Sequence, residues 1–241
     1  MIPWLDPDSP FPSVDKALRH PNGLLAAGAD LSTGRLLAAY RRGIFPWFSQ
    51  GDPLLWWSPD PRMVLFPEEF KVSRSLAKSA RNRAYEVRID TAFGQVLEGC
   101  AGPRHNQPGT WLGPEMQAAY LRLHQLGFAH SFETWHEGRL AGGLYGMAIG
   151  RMFFGESMFS RATDASKVAL AALVGELRAR GFPMIDCQMN TGHLASLGAR
   201  EIKRSDFVRR LFALVNYAEP PGSWAFEDRK TTRLDEAQCP D

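Results

Sequence analysis

Glu156, Asp186 and Gln188 are the residues best placed to do chemistry, because each interrupts an apolar run: Glu156 in FFGES, Asp186 and Gln188 in MIDCQ. A carboxylate taken out of water is costly unless it is paired or used. Asp186 and Gln188 are two apart, so on a strand they share one face, with Ile185 and Cys187 on the other. A carboxylate beside a carboxamide can accept and orient a primary amine, which offers its protons as donors. The same pair can also serve as a polar tie from the strand to a neighbouring loop. Strict alternation puts Phe154 with Glu156 and Phe153 opposite, and Gly155 marks a candidate bulge that would alter this pattern. Glu156 reads either as a chemical group or as an acceptor for backbone N–H groups.

Other chemistries find less support. His130 and His136 are six apart, and HEGR lacks the second histidine of a helical zinc motif, so no metal site is expected. There is no GxSxG elbow and no P-loop. Cys187 points away from Asp186 and reads as a core thiol. A CoA-dependent acyltransferase of the GNAT type would carry a glycine-rich loop entering a helix, where backbone N–H groups hold pyrophosphate. The corresponding stretch here is SRATDASK, which has no glycine and places Asp164 in the first turn. An acyl donor other than CoA is expected, and no cofactor.

These residues need elements to hold them. Leu144–Met147 and Met152–Glu156 read as strands, Asp164–Arg180 as a helix closed by Gly181, and Met184–Gln188 as a short buried strand. His130–Trp135 and Leu140–Met147 form a hairpin signal across HEGR. Gly192–Leu197 reads as a short helix and Ala199–Lys203 as a last strand, and Ser205 caps a final helix. Earlier, Ser32 caps a helix whose apolar face is Leu36, Leu37 and Tyr40. Ser73 caps a basic helix. Asp90 or Thr91 caps a helix with Phe93, Val96, Leu97 and Cys100. Pro114 opens one with Met116, Ala119, Tyr120, Leu123 and Leu126. Residues 1–30 read as mostly loop. Gly43–Arg62, with three Trp and two Phe among four Pro and two Gly, reads as irregular: either a minor core or an aromatic surface that stacks a ring. Pro61–Phe66 is a linker or first strand.

The order hairpin, strand, helix, strand, short helix, strand gives an α/β (α+β) class, a mixed sheet flanked by helices. It resembles the GNAT-type fold in topology alone. Boundaries are expected near residue 64, for a small N-terminal domain (1–64) before a catalytic domain (65–218), and at 219, where a poorly ordered tail (219–241) begins. The 44% hydrophobic content supports a packed core, and a net charge of +2 says little about partners. Three cysteines without a CxxC fit a reducing, cytoplasmic compartment. No leader is visible, and no apolar run approaches the ~20 residues of a membrane span. Arg74, Lys78, Arg81 and Arg83 read as a solvated face or a phosphate-contacting patch, joined by Arg41 and Arg42.

The motifs PNGLLAAGADLS, YRRGIFPWFSQGDPLLWWSPDPR, AFGQVLEGCA, GTWLG, GGLYGMAIG, FFGESMFSR, ASK, IDCQ and HLASLGA run in order over roughly residues 20–200. With them the chain resembles the leucyl/phenylalanyl-tRNA–protein transferases. The resemblance implies transfer of Leu or Phe from aminoacyl-tRNA to an N-terminal Arg or Lys of a protein, marking it for N-end rule degradation. It implies that Trp47 and Trp111 stack the terminal adenosine, and that Leu144, Phe153, Glu156, Leu173 and Leu177 line an aminoacyl pocket. It places Asp186 and Gln188 at the reacting amine. Leu144, Leu173 and Leu177 stand where bulkier residues are common in the family, which implies a pocket of different width. Two rivals remain at this point: a CoA-dependent N-acyltransferase and a non-catalytic tRNA-binding module.

Overall fold

The computed structural model of the chain describes residues 1–49, 51–102, 112–217, 222 and 224. The second half of the chain carries near-continuous apolar runs such as AGGLYGMAI and MFF, and there the long, largely buried strands form. A seven-stranded mixed sheet combines β5 (Arg62–Leu65), β6 (Glu86–Ile89), β7 (Ala129–His136), β8 (Arg139–Ile149), β9 (Met152–Ser160), β10 (Met184–Gln188) and β11 (Arg200–Ile202), in the order β11-β5-β10-β9-β8-β7-β6. The expected hairpin is β7–β8, turned at Glu137 and Gly138, both at positive φ. The helix α5 (Ala165–Ala179) crosses from β9 to β10, which pair in parallel. A crossover helix is what a parallel pair requires.

A smaller sheet precedes it: β1 (Trp4–Leu5), β2 (Leu24–Gly28), β3 (Phe45–Pro46) and β4 (Leu55–Trp57), in the order β1-β2-β4-β3. Residues 1–30 are mostly irregular, as expected, but they contribute the buried strand Leu24–Gly28. One expectation is corrected here. The aromatic run is not irregular, because Phe45 pairs with Trp57 and Pro46 with Trp56. Proline is tolerated there because β3 is an edge strand. Trp56 is fully buried and donates its indole N–H to Gly28 O (2.9 Å). Trp47 stays 38% exposed, edge-on to Trp57. The run is thus both minor core and aromatic surface. The boundary expected at residue 64 falls inside β5, which belongs to the larger sheet.

The remaining helices are α1 (Thr33–Tyr40), α2 (Arg74–Asn82), α3 (Phe93–Ala101), α4 (Pro114–Gln125), α6 (Gly192–Ser196) and α7 (Arg204–Val215). Ser32 and Ser73 cap α1 and α2 as expected, accepting from Arg35 and Leu76 N–H. The cap of α3 is remote. Buried Glu133, on β7, accepts Thr91 N–H and Ala92 N–H (3.0 Å each), so neither Asp90 nor Thr91 does the capping. Helix α7 starts at Arg204, whose N–H donates to Asp60 of the small unit (3.0 Å), rather than at a Ser205 cap.

The large sheet separates two cores. On one face Tyr145, Met147 and Phe154 pack with Met116, Tyr120, Phe207 and the small unit's Leu25, Leu36, Tyr40 and Trp56, so both sheets share one apolar cluster. On the other face, Leu144, Phe153 and Ile185 pack with Leu170, Leu173 and Leu177 of α5. No described helix is long and apolar enough to cross a membrane.

Candidate active site

The parallel ladder between β9 and β10 ends at the pair Phe154–Asp186. Beyond it the strands part, and the three polar residues picked from the sequence lie at this fork. Gly155 pairs with Gly146 and Ser157 with Tyr145, leaving Glu156 as the extra residue of a β-bulge. The bulge suggested by Gly155 is therefore present, one residue later. On the other limb, register against β5 slips between Asp186 and Gln188, and Gln188 sits at φ +63°.

Glu156 accepts three side-chain hydrogen bonds: Tyr40 Oη to Oε1 and Tyr120 Oη to Oε2, both 2.7 Å, and Gln188 Nε2 to Oε1 at 3.2 Å. The two tyrosine hydroxyls are also 2.7 Å apart. Each hydroxyl carries one proton, so with both donated to ionised Glu156 the contact between the hydroxyls has none; a protonated Glu156 donates to one tyrosine, which then donates to the other. Burial pushes the Glu156 carboxyl up to about 7, and the charge of Asp186 adds to this. The hydrogen bonds from Tyr40, Tyr120 and Gln188 pull it down. Burial, then the Glu156 charge, drives both tyrosines well above their ordinary range.

Asp186 is fully buried and takes Arg62 in a two-pronged pair, Nε to Oδ1 at 2.8 Å and Nη2 to Oδ2 at 2.6 Å. Its Oδ1 also accepts Gln188 N–H (2.9 Å). The Arg62 guanidinium lies 4.7 Å from the rings of both Phe45 and Phe207, a cation held between two aromatic faces. Asp186 thus spends its oxygens on Arg62 and on the backbone of Gln188. It holds Gln188 through that backbone contact, at the fork where the resemblance places the reacting amine. Gln188 donates from its amide nitrogen to Glu156, and the carbonyl oxygen is the acceptor of the same carboxamide.

Leu144, Phe153, Leu173 and Leu177 do assemble, all buried in the cluster beneath α5. Glu156 meets the tyrosines on the opposite face, so the five expected pocket residues meet only through the fork. Half-buried Met158 and Cys187 border that apolar cluster. Burial, then Asp186, pushes the Cys187 thiol well above its ordinary value, which disfavours a thiolate nucleophile. His130 hydrogen-bonds Asp90 (2.8 Å) and His136 packs edge-on to Tyr85. No group of His, Cys, Asp and Glu among the described residues is arranged to hold a metal ion. At the start of α5, Asp164 pairs with Lys167 (2.8 Å), a carboxylate where pyrophosphate would have to sit.

Trp47 is accessible, as stacking requires, and Trp111 lies outside the described residues. Arg41, Arg42, Arg74, Lys78, Arg81 and Arg83 are all exposed. Sequence reasoning missed Tyr40, Tyr120 and Arg62. Both tyrosines occupy apolar positions of helices, where a ring alone explains them, and Arg62 sits among prolines in a stretch that reads equally as linker.

Two family models match the chain. One described as leucyl/phenylalanyl-tRNA protein transferase matches residues 64–212, and one described as that family's N-terminal domain matches residues 29–60. The leucyl/phenylalanyl-tRNA–protein transferase of Chromobacterium violaceum is 62% identical over 229 residues, covering 95% of this chain and 98% of that protein. That of Nitrosospira multiformis is 61% identical over 227 residues, covering 94% and 98%. Among solved structures FemX shares 11% identity at a TM-score of 0.46, covering 71% of this chain and 66% of its own, a likeness too slight to carry a functional conclusion. On the length and level of these matches, the chain belongs to the leucyl/phenylalanyl-tRNA–protein transferase family.

Proposed function

We propose that the enzyme moves Leu or Phe, and Met less well, from aminoacyl-tRNA to the N-terminal Arg or Lys of acceptor proteins, marking them for N-end rule degradation. The observation that carries the chemistry is Gln188, with its amide nitrogen held by Glu156 (3.2 Å) and its backbone by Asp186 (2.9 Å). An α-amino group with a pKa near ~8 is appreciably neutral at pH 7. It donates one hydrogen bond to Gln188 Oε1 and attacks the ester carbonyl. The amide C–N bond forms, the bond to the terminal ribose oxygen breaks, and the amine's proton ends on that oxygen. The ester is already activated, so positioning is the main task and is worth roughly 7–11 kcal/mol.

Trp47 and Trp111 stack the terminal adenosine common to all tRNAs, and exposed basic residues of α2 meet phosphates. The donor side chain enters the apolar cluster of Leu144, Phe153, Leu173 and Leu177 from the fork, beside Glu156. Shape selection in an apolar pocket separates near neighbours by only ~1–3 kcal/mol, hence the leakage to Met. Glu156, once ionised, supplies the negative charge for a cationic acceptor. The test is direct: Leu-tRNA incubated with an Arg-initiated peptide adds the mass of one leucine residue. Gln188→Ala lowers kcat about 10²-fold or more with aminoacyl-tRNA affinity retained. No mass gain with the unaltered enzyme would refute the reading, and full turnover by the variant would refute the role of Gln188.

A further inference from the structure

Trp224 lies in the stretch expected to be a loose tail, yet its indole is buried in the core beneath α5. It stacks on the His130 imidazole, with centroids 4.0 Å apart and planes 11° from parallel. The Arg180 guanidinium stands 4.6 Å from its ring. Its backbone N–H donates to Asp90 Oδ2 (3.1 Å), the oxygen that also meets His130 Nδ1 (2.8 Å). Two residues earlier, Gly222 N–H donates to Gly127 O (3.3 Å). A Cβ on Gly127 would lie 2.6 Å from Gly222 N, so the crossing is closely fitted.

The indole also neighbours Phe153, at 6.1 Å between ring centroids, and belongs to the cluster that holds Leu144, Leu173 and Leu177. Phe153 has little freedom. Its ring lies across Gly146, where a Cβ would be 2.5 Å from it. With β8 closing one side, Trp224 blocks another.

We propose that Trp224 sets donor specificity as a positioning residue, backing the Phe153 ring and so fixing the depth of the apolar pocket that takes the donor side chain. This rests on the reading that the cluster receives that side chain. Removing the indole leaves space into which the ring can move, because a vacated core site relaxes only in part. Bulky donors then gain relative to leucine.

The test uses the full chain and tRNA charged with Leu, Phe or 2-naphthylalanine. In Trp224→Ala the ratio of kcat/KM for naphthylalanine over Leu rises about tenfold, the scale of pocket-shape discrimination. In a Phe153→Leu background the same change leaves the ratio unmoved. A uniform loss for all three donors, or a shift that persists without Phe153, would overturn the proposal, because a merely structural anchor behaves that way. Should Trp224→Ala fail to fold, Trp224→Phe keeps a ring on His130, and a smaller rise in the same ratio is expected; no rise overturns it. Leu173→Phe separates the two levels. If it leaves donor preference unchanged, the pocket reading fails. If it changes preference and the Trp224 variants do not, only the present inference fails.

Discussion

Glu156 carries its charge near neutrality, and this makes it the residue to titrate. Its folded pKa of about 7 lies above the ordinary carboxylate value of 4.5. The folded state therefore holds a proton that the unfolded chain gives up, and stability falls as pH rises from about 4.5 to 7 and is level above. Glu156→Gln removes that slope, so the difference in unfolding free energy between variant and parent grows in the variant's favour from pH 5 to pH 8, followed by denaturant titration. The KM for an Arg-initiated peptide falls through the same pH range as the carboxylate ionises, and is flat in the variant. Asp186 behaves otherwise. Asp186→Ala strands the Arg62 guanidinium, which is 1% exposed, and costs roughly 3–5 kcal/mol of stability. Collapse of kcat with an unshifted denaturation midpoint would instead give Asp186 a direct part in the chemistry. Glu156, Asp186 and Gln188 were legible in the sequence because a polar residue in an apolar strand demands an explanation. Tyr40 and Tyr120 were not, since a tyrosine on an apolar helix face satisfies the pattern whether or not its hydroxyl is used.

At the scale of elements, the fork depends on the mismatch between β8 and β9. Gly146 faces Gly155 where the bulge begins, and a Cβ on Gly146 would lie 2.3 Å from Phe154 O and 2.5 Å from the Phe153 ring. Gly146→Ala therefore moves backbone and ring together. It lowers stability by roughly 1–3 kcal/mol and alters Leu-versus-Phe preference, measured by thermal unfolding and competitive transfer. An unchanged melting temperature would show that the strands part with less constraint than the geometry implies. Periodicity made the hairpin and the crossover helix α5 readable from the sequence, and a short apolar run gave β10. It failed for β5, which runs antiparallel to both its neighbours and lies at the centre of the site. A four-residue strand framed by prolines offers no period to count.

Over the whole molecule, the two sheets are joined by a common core and by polar ties such as Asp60 to the start of α7. Composition cannot reveal such docking, because it joins positions far apart in sequence. The exposed charges of α2 lie outward from Leu76 and Ala80, which anchor it in a small cluster with Val168 of α5. Replacing Arg74, Lys78 and Arg81 by alanine weakens aminoacyl-tRNA binding. The slope of log affinity against log salt becomes shallower by roughly 0.7–0.9 for each phosphate no longer neutralised. An unaltered slope would place the tRNA on another face.

The clamp on Arg62 has a temporal side. One of its flanking rings, Phe45, is made early, the other, Phe207, is made late, and the partner Asp186 arrives between them. Along the chain, Arg62 is separated by 124 residues from the carboxylate that pairs with it. The clamp closes only once α7 is present, so a chain cut before Phe207 leaves Arg62 without its second flanking ring.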